Sequence, residues 1–184
     1  MAAVCSHESG DLLCRAKRFV QVAQAFSQSD YGHTYAARMA LDGVSGVDSC
    51  WVSLPYGGES KENPVDIWLA ARLPSKLSLA GLRIVGDPRE VVATTDRFDV
   101  YLREDGVWKR RAQVVNQDAT PKNQFDVAWT GASLVMADAI KLVFPKDHLP
   151  QSDNAEQDGI VRINEIRFLL SDGHLVNYDL LPKP

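Results

Sequence analysis

Arg97-Phe98-Asp99-Val100-Tyr101-Leu102-Arg103-Glu104-Asp105-Gly106-Val107-Trp108 carries two signals in one stretch. Phe98, Val100 and Leu102 recur at every second position, the period of a strand with one face in a core and the other in water. Asp105-Gly106 is a residue pair that accepts positive φ at both centres of a tight hairpin turn, and a second apolar run follows at residues 108–115. The stretch predicts an antiparallel hairpin. Further short apolar runs lie at residues 65–69, 79–85, 125–129, 139–144 and 160–170. The turn-rich segments between them include Gly86-Asp87-Pro88, Thr120-Pro121-Lys122-Asn123 and Ser171-Asp172-Gly173. Residues 19–26 alternate as a strand, although their Ala and Gln also allow a helix. Beyond residue 50 no helical period runs longer than about three turns, which excludes a parallel sheet with crossover helices. About eight main antiparallel strands predict an all-β sandwich or barrel.

Composition sets outer bounds. The 184 residues suffice for one domain with a full core. With 45% hydrophobic and 24% charged residues the profile is that of a globular domain. A net charge of −4 supplies no overall positive field for nucleic acid or an anionic membrane. The basic clusters Arg15/Lys17/Arg18 and Lys109/Arg110/Arg111 read as solvated faces. Three cysteines, Cys5, Cys14 and Cys50, without a CxxC pair, argue against a zinc knuckle or a dense disulfide framework. Cys5 and Cys14 either close a small loop in an oxidising compartment or stay as thiols. No apolar run reaches the roughly 18 residues of a membrane span. Residues 1–17 read as a leader or linker, partly helical around 11–17, ahead of a domain at 18–184. They lack the apolar core of a signal peptide. Localisation stays open: extracellular if a signal or upstream domain has been removed, otherwise cytoplasmic.

The order of these segments resembles the discoidin, or coagulation-factor type C, family of galactose-binding-like domains, which includes the family 32 carbohydrate-binding modules. The segments that carry the resemblance are Tyr35-Ala36-Ala37-Arg38-Met39-Ala40-Leu41-Asp42-Gly43, Ser49-Cys50-Trp51-Val52-Ser53, Asp66-Ile67-Trp68-Leu69, Leu82-Arg83-Ile84-Val85-Gly86-Asp87, the hairpin from Phe98 to Trp108, Ala139-Ile140-Lys141-Leu142-Val143-Phe144 and Ile163-Asn164-Glu165-Ile166. They span about residues 19–170, and the resemblance implies a galactose-binding-like β-sandwich of the jelly-roll kind. The chain departs from the family in three respects, one of them Arg103 near the position of the family's usual Ser. Two extra residues separate Asp42-Gly43 from Ser49, and no cysteine lies beyond Cys50 to make the usual terminal disulfide.

The resemblance implies a structural calcium ion held by Asp42, the Met39 carbonyl, Ser49 and Glu165. Mixed hard oxygen donors suit Ca²⁺. Without an ion, Asp42 would cap a turn and Glu165 would pair with Arg38 or Arg162. Trp51, Trp68 and Trp108 fall on family core positions, with Trp129 at core or rim. Ligand contacts are therefore expected in loops, at His33, Tyr56, Arg89, Asn123 and Phe125, with Tyr31, Tyr35 and Lys122 beside them. An aromatic face meets the C–H side of a sugar ring, while Arg, Asn and His bond its hydroxyls.

No nucleophile elbow, HExxH, P-loop or paired-carboxylate cleft stands out, and Cys50 beside Trp51 reads as a small buried hydrophobe rather than a nucleophile. The expected function is a non-catalytic module that binds a glycan or terminal sugar, a monomeric part of a larger protein, with neither nucleic acid nor a membrane span as partner. The rival expectation is a protein–protein interaction module of the same fold.

Overall fold

The computed structural model describes residues 24–44, 49–86, 97–115, 124–129, 135–152, 157–170 and 175–176. The expected leader at 1–17, with Cys5 and Cys14, lies outside them. In chain order the strands are β1 (Gln24–Ser27), β2 (Trp51–Val52), β3 (Ile67–Val85), β4 (Arg97–Glu104), β5 (Val107–Val115), β6 (Gln124–Ala128), β7 (Val135–Phe144), β8 (Arg162–Ile163), β9 (Glu165–Leu170) and β10 (Leu175–Val176). Every pairing is antiparallel. Helical structure among the described residues is confined to 3-10 turns, two of them at His33–Tyr35 and Ala37–Leu41. None is long and apolar enough to cross a membrane.

The sequence suggests two strands at residues 65–69 and 79–85, whereas the structure makes one strand, β3, that serves both layers. Its first half pairs with β1 and β7, and its second half with β9 and β6. The ladder with β7 shifts register between Arg72 and Leu77, around Pro74. Proline has no N–H to donate to a ladder, yet its fixed φ is compatible with an extended path, so the ladder shifts while the strand continues. One layer is therefore β1-β3-β7-β4-β5 and the other β10-β9-β3-β6, and β2 and β8 pair separately.

Alternation decides what fills the space between. Ile67, Leu69 and Ala71, Phe98, Val100 and Leu102, and Ile140, Leu142 and Phe144 all enter the core. Phe98 stands edge-on to Phe125 at 5.3 Å between ring centroids and lies 5.7 Å from Phe144, which in turn reaches Trp51 at 6.3 Å. The Asp105-Gly106 turn has φ of 50° and 81°, as the hairpin requires. Three assignments need correction. Phe125, expected at a ligand-binding rim, sits in β6 with 5% exposure and is core. Trp108 is 37% exposed and Trp68 half-buried, because each falls on the outward phase of its strand. Trp51 alone of the three expected core tryptophans is fully buried.

Candidate functional site

Two places gather aromatic, polar or charged side chains, and the 3-10 turn Ala37–Leu41 links them. The first is a cleft of about 390 Å³ lined by residues 25–27 of β1, Asp30, residues 36–38 and Trp68. Its volume is within the usual range for small-molecule sites. Ile67 and Leu69 point into the core, so period-two alternation turns Trp68 outward to form one aromatic wall. Phe26, 47% exposed, forms a second. Asp30 is held in place because its Oδ1 accepts the Trp51 indole N–H at 3.0 Å and the Ser27 hydroxyl. Arg38 is exposed beside it. Aromatic faces next to a guanidinium and a carboxylate can grip a pyranose ring and its hydroxyls. Among the described lining residues Asp30 is the one carboxylate, so the two-carboxylate geometry of glycoside hydrolysis is not assembled here.

The second place lies just past the same turn. Asp42 Oδ1 accepts the Val44 amide at 2.9 Å, and its other oxygen accepts the Ser49 hydroxyl. Ser49 is also fixed through its carbonyl, which accepts the Asn164 side-chain amide at 2.7 Å. The β2–β8 pairing, Trp51 opposite Ile163, brings residue 49 alongside 164 and 165. Glu165 is fully buried, and neither carboxylate oxygen has a hydrogen-bond partner among the described residues. Burial pushes its carboxyl up to about 8, and the Asp42 charge adds to the rise; Arg167 and the nearby amides of Ile166 and Gly43 offset it only in part. An orphaned buried carboxylate beside a second carboxylate is costly unless a cation or proton joins it. Two carboxylates, a hydroxyl and nearby backbone carbonyls are donors suited to Ca²⁺. No group of three or more His, Cys, Asp or Glu residues gathers among the described residues, so an ion here would take further ligands from hydroxyl, carbonyl or water oxygens. Met39 lies in the adjoining 3-10 turn, three residues before Asp42.

The other residues singled out from the sequence scatter. His33 is exposed in the turn just before the cleft, and Tyr31 and Tyr35 meet there at 6.5 Å. Tyr56, in the 3-10 turn Pro55–Gly58, is committed internally: its hydroxyl donates to Asp158, which also binds Lys61 at 2.6 Å. Those bonds, the Lys61 bond first, lower the Asp158 carboxyl to about 2. Arg89, Asn123 and Lys122 lie outside the described residues. Cys50 is buried beside Val52 and Ile160, as a small hydrophobe would be. The cleft residues Phe26, Asp30, Arg38 and Trp68 were missed. The signal for Trp68 was present, since it is out of phase with Ile67, Leu69 and Ala71.

Solved structures share this arrangement of strands. A family 32 carbohydrate-binding module from C. perfringens NanJ, in complex with galactose, matches with a TM-score of 0.60 and 16% identity, covering 79% of this chain and 91% of that one. The fold is the discoidin-like fold of the family 32 carbohydrate-binding modules. Chitosan-binding module 1 of a chitosanase/glucanase from Paenibacillus sp. IK-5 matches this discoidin-like sandwich at 0.59 and 14% identity, covering 80% of this chain and 94% of that one. A further family 32 module from Clostridium perfringens, in complex with GalNAc-β-1,3-galactose, matches at 0.57 and 14%, covering 78% and 91%. No family model and no curated protein sequence matches the chain.

Proposed function

We propose that the chain is a non-catalytic carbohydrate-binding module that holds a sugar between Phe26 and Trp68. Arg38 and Asp30 bond the sugar hydroxyls, and His33 stands at the rim. The observation that carries the reading is the outward Trp68, an aromatic wall in a cleft of about 390 Å³ that also holds a guanidinium and an anchored carboxylate. Three of the neighbouring structures support it: two family 32 carbohydrate-binding modules, each with a sugar bound, and a chitosan-binding module.

The same reading includes a structural calcium site at Asp42, Ser49 and Glu165, with the Met39 carbonyl as a further donor. Bound there, the ion would supply positive charge to two carboxylates that otherwise repel. Asp42 closes the turn that contributes residues 37 and 38 to the cleft, so fixing Asp42 also fixes the Arg38 backbone. Calcium would organise the site without touching the sugar.

A glycan array probed in calcium and in EDTA tests the proposal, with wild type and Trp68→Ala compared. Binding by wild type, weakened in EDTA and lost in a folded Trp68→Ala, supports it. Failure to bind any glycan, together with capture of a specific protein from the native source, would favour the interaction-module reading instead.

A further inference from the structure

The outward face of the β1-β3-β7-β4-β5 layer carries a second surface, organised in cross-strand rows. Residues paired across an antiparallel ladder point to the same face. One row runs Gln24, Arg72, Ala139, Arg103, Trp108. The next, two residues along, runs Phe26, Ala70, Lys141, Tyr101, Arg110. Four strand spacings make each row about 19 Å long. Ala70 and Ala139 are buried yet outside the inter-layer core, so they form a low floor from which aromatic and cationic side chains rise.

The charges on this face are unequal. Arg103 is matched by Asp138 at 2.7 Å and Arg110 by Asp99 at 3.5 Å. Lys141 has no carboxylate partner among the described residues. Its ammonium stands instead over two rings, 5.4 Å from Tyr101 and 5.1 Å from Trp108. Arg72 is exposed and likewise has no carboxylate partner among the described residues. A chain with net charge −4 thus presents a local positive strip interleaved with Phe26, Tyr101 and Trp108.

We propose that this face is a second, extended subsite for an acidic polysaccharide laid across the five strands. Its anionic groups would meet Arg72 and Lys141 while its sugar rings lie on Trp108 and Tyr101. The inference rests on the glycan-binding reading above. Aromatic and basic side chains also suit single-stranded nucleic acid. Continuity favours the polysaccharide, because Phe26 belongs both to this row and to the cleft.

The test is calorimetric titration of a polygalacturonate oligomer, its fully methyl-esterified neutral form and an oligodeoxythymidylate of matched charge. Each is titrated into wild type, Arg72→Gln/Lys141→Gln and Trp108→Ala, with melting temperature confirming the fold. Wild type should bind polygalacturonate better than either other probe and lose affinity as salt rises. The double variant should lose roughly tenfold or more, the usual worth of a hydrogen bond to a charged group. Binding of a neutral glycan selected on the array should be unchanged in both variants. Equal polygalacturonate affinity in wild type and the double variant, no binding by wild type, or tighter binding of the oligodeoxythymidylate would each overturn the inference. A neutral glycan still bound in those cases would leave the module reading standing, whereas loss of all glycan binding would remove both.

Discussion

Replacing Glu165 with Gln separates a structural carboxylate from a cation ligand. In the metal-free protein Glu165 is fully buried, its oxygens have no partner among the described residues, and its carboxyl is raised from 4.5 to about 8. An acid whose folded pKa is raised binds more protons in the native state, so metal-free stability falls as pH rises from about 4.5 to about 8. At pH 7 the deficit is about 3 kcal/mol, from roughly 1.4 kcal/mol for each pH unit above the unfolded value. Glu165→Gln removes that deficit but still buries an amide, which costs about 1–2 kcal/mol. In EDTA at pH 7 the variant should therefore be more stable by about 1–2 kcal/mol, or roughly 2–8 °C in Tm for a domain of this size. Calcium should reverse the order. At a hundredfold excess over Kd it adds about 2.7 kcal/mol to wild type and little to the variant. Scanning calorimetry in EDTA and in calcium, from pH 5 to pH 8, reads both effects. A variant less stable than wild type in EDTA at every pH, with calcium shifting neither protein, would refute the reasoning.

Other consequences follow from particular contacts. Asp158 is lowered to about 2 by Lys61 and Tyr56, so its contribution is present above about pH 4 and is lost as pH falls towards 2. Asp158→Asn should cost about 2 kcal/mol at neutral pH and flatten acid unfolding between pH 4 and pH 2, measured by urea titration. A methyl group at Gly81 would collide with the Val127 carbonyl of β6. Gly81→Ala should therefore destabilise by about 2 kcal/mol or more and deprotect the β3–β6 amides in hydrogen exchange. At Gly106, with φ of 81° and open space around it, Gly106→Ala strains only the backbone and should cost about 1–2 kcal/mol in thermal melting.

The fold was legible wherever one face of a strand is wet. Phe98, Val100 and Leu102 announced β4, and Asp105-Gly106 announced its turn. Residues 65–69 and 79–85 were legible as apolar runs, but the stretch between them holds Arg72, Pro74, Ser75 and Lys76, so one continuous strand reads as two. The acidic nest was found through the family resemblance at Asp42, Ser49 and Glu165, since nothing in linear spacing joins residue 42 to residue 165. The β2–β8 pairing does that. The cleft was missed for a related reason. Trp68 was placed in the core by resemblance, although its phase against Ile67 and Leu69 points it outward. Phe125 erred in the opposite direction: it follows a turn-rich segment, but its own strand carries it under Phe98. Asp30 and Arg38 become neighbours of Trp68 only once β1 pairs with β3, a long-range contact that no local pattern encodes.

The central claim is that Phe26 and Trp68 hold a sugar. Its most direct test is an amide and indole NMR titration of calcium-loaded protein with a glycan selected on the array, in wild type and Trp68→Ala. The account predicts saturable shifts concentrated at residues 25–38 and the Trp68 indole, and their disappearance in the folded variant. Saturable shifts that avoid this region, or that persist unchanged in Trp68→Ala, would contradict it.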